Sequence, residues 1–293
     1  MHTLVLAVLL LAILGFLSPT VQNRTRGRLH AHPALLFPVP AGLTLLLCGL
    51  AAASGAFSAR LALLVLAYTA APSLVAFAQG AAFVKRPSWL DFAIILLLWL
   101  PLEFSAGQRL IPQPAQGFLH SVAYAIAILL ALIIFLGFRS LSGMKYHLPA
   151  VRDLALGAAG FLITAPVLIL LGRLLGFIPP FHSPAHPSAV RLAVTFLVVF
   201  VGTALPEEIL FRSLIQNWFT ARYGVTTRVL LLSGFIFGCA HLDNGPQPLP
   251  NWRYMILATV AGVAYGKVFQ KSSSVFSSVT FHALVDATKH IFF

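Results

Sequence analysis

Residues 189–223, AVRLAVTFLVVFVGTALPEEILFRSLIQNWFTARY, form an apolar run with two adjacent carboxylates and an arginine near its middle. A bilayer crossing takes roughly 20 predominantly apolar residues. The run is therefore helix-competent for longer than one crossing requires. Gly202 and Pro206 interrupt it. Proline lacks a backbone donor and disfavours helical geometry at the residue before it, which predicts a kink or restart at Leu205–Pro206. Carbonyls freed at membrane depth need partners away from lipid, so such a break is expected to line a polar cavity with Glu207 and Glu208 at its wall. Ionised side chains at that depth are costly and mark a reaction site or an ion pathway.

The rest of the chain has the same character. Its 293 residues are 59% hydrophobic and only 9% charged, with a mean hydropathy of +0.92. This excludes an ordinary soluble domain. Ten stretches are apolar enough to be read as spans: 3–18, 33–56, 61–83, 89–105, 117–138, 153–176, 190–205, 227–242, 253–269 and 275–292. The expected fold is an all-α, polytopic transmembrane bundle of about ten spans. No Lys or Arg precedes the first stretch and Ser18-Pro19 is a poor cleavage site, so it reads as a retained helix rather than a leader. The net charge of +12 does not indicate nucleic acid, because the basic residues are scattered among short loops. Taken alternately, those loops place Arg24, Arg26, Arg28, Lys85, Arg86, Arg139, Lys145, Arg152, Arg212, Arg222, Arg228, Lys267 and Lys271 on one side. Arg60, Arg109, Arg173, Arg191, Arg253 and Lys289 fall on the other. The excess favours the first side as cytoplasmic, with both termini opposite. Cys48 and Cys239 lie inside apolar segments without metal-finger or disulfide spacing and read as packed thiols.

The segment 178–188, IPPFHSPAHPS, is the clearest loop. It divides an accessory helical region, 1–188, from a site-bearing region, 189–293. His182 and His186 stand at metal-pair spacing there, but the interleaved prolines prevent the helix such a pair needs. Asp91, Asp153 and Asp243 sit at span ends, with Asp153 placed to start a helix. Glu103, Lys289 and His290 read as interfacial.

Three short patterns carry the chemistry. In PEEILFR, Glu208 and Arg212 are i,i+4 neighbours that can pair, while Glu207 points about 100° away around the helix. A glutamate facing a half-dry cavity is suited to act as a general base. Gly224 lies midway between Glu207 and His241, so two antiparallel helices turning near it return His241 to the level of Glu207. The two side chains could then share a water. Phe237, one turn before His241, is placed to restrict its imidazole. On the last stretch His282 and Asp286 are again i,i+4, so Asp286 can fix the tautomer of His282 and leave its other nitrogen to the cavity. Such a pair can donate to an oxyanion or hold a metal. Zinc-peptidase HExxH, GxSxG and Walker patterns are absent.

EExxxR (Glu207, Glu208, Arg212), FxxxH (Phe237, His241) and HxxxD (His282, Asp286), in that order in successive apolar segments, resemble the three motifs of the CPBP family. This family includes CAAX prenyl endopeptidase type 2 and related bacterial intramembrane proteases and immunity proteins, among them proteins like lysostaphin resistance protein A. The resemblance covers about residues 190–290. It implies an intramembrane endopeptidase in which Glu207 and His241 activate water while His282 and residue 286 support the oxyanion. Glu208, Arg212 and Phe237 would be supporting residues. Many relatives carry Asn where this chain has Asp286. An ionised carboxylate there would repel an oxyanion, so Asp286 is expected to act through His282 or when protonated. The family has been described both as metal-dependent and as metal-free; the expectation here is no cofactor, with zinc as the less favoured option. The expected partners are a membrane-associated or lipidated peptide and the bilayer, not nucleic acid. The expected setting is a multi-pass integral membrane protein, in the plasma (inner) membrane if the source is bacterial. The competing readings are a non-catalytic peptide-binding, immunity or maturation factor and a proton-coupled transporter.

Overall fold

The computed structural model describes residues 2–182, 188–245 and 247–293. Its described residues are helical with no strand, as the composition implied. Among the described residues, five helices are long and apolar enough to cross a membrane: Pro33–Ala53, Ala59–Gln79, Ala115–Phe138, Val151–Leu174 and Ala189–Tyr223. A sixth span arises if the bent pair His2–Gly15 and Pro19–Ala31 counts as one. This is fewer than the ten stretches read from hydropathy, because several of those form helices too short or too polar to span alone. His186 lies outside the described residues.

The chain forms two compact units, Met1–Gly143 and Met144–Phe293. The first contains α1 (His2–Gly15), α2 (Pro19–Ala31), α3 (Pro38–Ala53), α4 (Ala59–Gln79), α5 (Trp89–Glu103) and α6 (Ala115–Phe138). Its interior carries a buried ion pair. Arg139 Nε donates to Asp91 Oδ1 at 2.8 Å and Arg139 Nη1 donates to the Gly80 carbonyl at 2.8 Å. Asp91 also accepts from the Ser88 amide at 2.7 Å, which closes the first turn of α5. Several residues taken as loop cations have other roles. Arg24, Arg26 and Arg28 lie within α2, while Arg139 and Arg212 are buried in ion pairs. Arg139 and Arg212, held inside the protein, do not report on sidedness.

The second unit contains α7 (Val151–Leu174), α8 (Ala189–Tyr223), α9 (Thr227–Cys239), α10 (Trp252–Lys271) and α11 (Phe276–Phe292). It therefore takes in residues 144–188 as well as those after 189. Asp153 starts α7 by accepting from the Ala150 amide at 3.0 Å. It also holds the turn before α11, where the Ser273 amide and hydroxyl donate to it at 2.8 and 2.7 Å. Lys145 closes α10 by donating to the carbonyls of Phe269 and Ser272 at 2.7 and 2.8 Å, the favourable place for a cation on a helix.

Helix α8 does not restart at Pro206. It runs unbroken for 35 residues, with π-helical turns at Phe200–Ala204 and Ile209–Gln216 flanking the carboxylates. At ~1.5 Å per residue it is longer than the hydrocarbon core is thick. A widened turn before Pro206 shifts the carbonyl that would otherwise meet the pyrrolidine ring, so the proline is accommodated without a break.

Helices α9 and α10 make the most extensive packing in this unit, for a reason visible in the sequence but not singled out there. Gly234 and Gly238 on α9, and Gly262 and Gly266 on α10, each stand at i,i+4 spacing, the small-xxx-small pattern that lets backbones approach; Gly234 meets Gly262, Gly238 meets Thr259 and the Met255 carbonyl, and Gly266 meets Leu230. A methyl at Gly238 would run into Thr259 and the Met255 carbonyl, and one at Gly157 on α7 would meet the Ser277 carbonyl. Backbone cannot move aside as a side chain can. Gly238→Ala should therefore destabilise the protein by about 1–3 kcal/mol, the cost typical of overpacking. Gly49→Ala on α3, where nothing lies within 4 Å, should leave the melting temperature unchanged or raise it slightly. Thermal unfolding of both variants in one detergent checks the contrast; equal behaviour would refute close α9–α10 packing.

Candidate active site

Glu208 and Arg212 form the ion pair that helical spacing predicted. Arg212 Nε donates to Glu208 Oε2 at 3.0 Å, and both side chains are fully buried. The guanidinium lies 5.0 Å from the centroid of the Phe237 ring, a cation–π contact in a dry setting. Its Nη1 reaches Gln216 Oε1 at 3.5 Å, and Gln216 donates onward to the Gly266 carbonyl at 3.0 Å. The motif on α8 is thereby tied to α9 and α10.

The third motif joins the first through a contact that sequence spacing could not supply. His282 Nδ1 lies 3.1 Å from Glu208 Oε1, so Glu208 receives Arg212 on one oxygen and His282 on the other. The other nitrogen of His282, Nε2, lies 3.4 Å from Asp286 Oδ2 and 3.9 Å from Glu207 Oε2. The Asp286 pairing is as expected, but the nitrogen left over does not face the cavity; it meets Glu208. Carboxylates accept only, so His282 serves both neighbours when each ring nitrogen carries a proton.

His241 follows α9 and is buried. Its Nδ1 lies 2.8 Å from the Phe237 carbonyl, which can only accept, so Nδ1 carries the proton and Nε2 keeps its lone pair. The Phe237 ring packs at 4.7 Å from the imidazole, as its position one turn earlier predicted, and stands edge-on to Phe211 at 4.9 Å.

Helix α10 contributes two residues that the motif reading passed over. Tyr265 stacks on His282 at 4.7 Å and 20°, and Tyr254 stands edge-on to His241 at 4.5 Å. The signal was available, since two tyrosines eleven residues apart in an apolar helix fall close to one face. A cavity of about 60 Å³ opens among these groups, with room for several waters. His241, His282, Asp286, Tyr254, Tyr265 and Lys289 line it. Lys289 is therefore a wall residue rather than an interfacial one. Glu207 and Glu208 are not on this wall and meet it through His282. Among the described residues no group of three or more His, Cys, Asp or Glu side chains is disposed to hold a metal ion.

Residues 189–288 match the protein-family model described as type II CAAX prenyl endopeptidase Rce1-like. No curated protein and no solved structure matches the chain. The matched segment begins at the first residue of α8 and includes all seven motif residues, from Glu207 to Asp286. The order of the motifs, their meeting at His282 beside one cavity and this match agree: residues 189–288 are similar to the Rce1-like domain of CAAX proteases, a family of peptidases.

Proposed function

We propose that the protein is a multi-pass intramembrane endopeptidase that hydrolyses a peptide bond of a membrane-associated or lipidated protein, using water activated by Glu207 and His241. The observation that carries this reading is the unequal placement of the two adjacent glutamates. Glu208 is fully buried between Arg212 and His282, whereas the side chain of Glu207 keeps 30% exposure and stands beside His282. A carboxylate already receiving two cationic donors is poorly placed to take another proton, and its neighbour is better placed.

In this mechanism a water accepts orientation from the Nε2 lone pair of His241 and gives a proton to Glu207 as its oxygen attacks the substrate carbonyl carbon. The oxyanion forms near the N–H of His282. Collapse breaks the C–N bond, and the proton held by Glu207 passes to the leaving amine. Asp286 acts through His282, holding the ring and balancing its charge, because a carboxylate facing the oxyanion directly would oppose it. No metal enters the scheme. The bilayer supplies the medium, and residues 1–188 serve substrate choice or docking. In a bacterial source the plasma membrane is the setting.

The paired glutamates give the decisive test. Mass spectrometry of membrane peptides from cells carrying wild type or Glu207→Gln should reveal products that vanish in the variant, and the affected peptide then serves as substrate. Glu207→Gln should keep its fold and lose roughly 10²–10⁴-fold in turnover, the usual range for loss of a general base. Arg212→Ala leaves a buried carboxylate short of its cation and should cost roughly 3–5 kcal/mol in stability. Glu208→Gln should fall in stability in the same direction, and the double variant should be less than additive. An active Glu207→Gln beside a folded but inactive Glu208→Gln would reverse the two roles.

A second measurement addresses the nucleophile. Turnover of the purified protein should survive exhaustive chelation, since the water is activated by side chains rather than by a Lewis acid. Loss of turnover in chelator, restored by stoichiometric zinc, would make His241 and His282 ligands instead.

A further inference from the structure

Lys289 is the one lysine or arginine that lines the cavity among the described residues. It follows Asp286 by three residues on α11, so the two side chains are neighbours on one helix face. Its ammonium stands 4.7 Å from the ring centroid of Phe177 and 4.9 Å from that of Tyr254, and those rings stack on each other at 4.6 Å. The other cations held inside the protein have oxygen partners. Arg139 has Asp91, Arg212 has Glu208, and Lys145 has the carbonyls that end α10. Among the described residues the Lys289 ammonium has no carboxylate within ion-pair distance and donates to no oxygen.

An ammonium carries three donors, and ring faces offset only part of what their desolvation costs. The two aromatic rings hold the head group at the wall while leaving its donors unused. Arg253 lies beside Gly176, next to Phe177, and adds positive charge at this end of the cavity. The complement of this corner is an anion on the molecule that enters. A group held there lies about one helical turn from Asp286 and about two from His282, so the anion and the scissile bond belong to one short extended segment, at ~3.3–3.6 Å per residue.

We propose that Lys289 is the specificity anchor of the cavity, receiving the C-terminal carboxylate of the bound peptide. The proposal deepens the peptidase reading and rests on it for the identity of the occupant. Lys289 is not a catalytic residue; it sets which peptides sit correctly. It lies one residue beyond the segment matched by the family model, which ends at 288.

The test compares two S-farnesylated peptides, a Cys-aliphatic-aliphatic-Met sequence ending in a free carboxylate and the same sequence ending in an amide. Equilibrium binding is measured on the full chain in neutral detergent. Wild type should prefer the acid by about tenfold or more, the value of one hydrogen bond to a charged group. Lys289→Met should bind the two alike, and Lys289→Arg should recover the preference. Lys289→Gln, which keeps donors without charge, replaces the Met variant if that one misfolds. Equal binding of acid and amide by wild type, or a preference that survives in Lys289→Met, overturns the proposal. So does an anionic lipid, phosphatidylglycerol, that occupies Lys289 and abolishes the wild-type preference at low membrane fraction. Cleavage is read in parallel. A preserved preference without any cleavage in wild type refutes the peptidase reading and leaves the anchor standing.

Discussion

Glu208 is the point on which the site depends. Its two oxygens receive Arg212 from its own helix and His282 from the last one, with all three side chains essentially buried. A charge taken out of water must find its partner or unfold the region around it. Arg212 and Glu208 satisfy much of that demand locally, and the second oxygen makes the demand a tertiary one. Once His282 is bound through Nδ1, its Nε2 is directed toward Asp286 and Glu207. The orientation of the histidine is thus set by a carboxylate outside its own motif.

That arrangement needs helices close enough for short side chains to meet. Glycines supply the approach between α9 and α10, and Gly157 and Gly160 supply it between α7 and α11. Aromatic rings then fill the remaining space around the imidazoles. Phe237 touches His241, His282 and the Arg212 guanidinium, and Tyr265 stacks on His282. Rings of this size have few rotatable bonds, so they hold polar groups at fixed orientation inside an apolar body. The π-helical turns on both sides of Glu207 and Glu208 belong to the same solution. They carry a proline through the helix and place the two carboxylates at a locally widened stretch of backbone, a common device at functional sites.

The sequence by itself determined everything that one helix can enforce. Glu208 with Arg212, His282 with Asp286, and Phe237 with His241 are each four residues apart, and the helical period brings each pair together whatever the rest of the chain does. Hydropathy likewise determined an all-helical membrane protein. Its count of about ten crossings is not matched by the five, or six, described helices long and apolar enough to span, because an apolar stretch records burial in lipid or in protein alike, and helices such as α5 and α9 are short. Only the tertiary structure decided what crosses between helices. The contact of His282 with Glu208, 74 residues apart, the stacking of Tyr265, the passage of α8 through Pro206 and the place of Lys289 in the cavity wall all depend on which face each helix turns to its neighbour. A spacing of three or four residues fixes a face of one helix, but close packing of several helices chooses which faces meet.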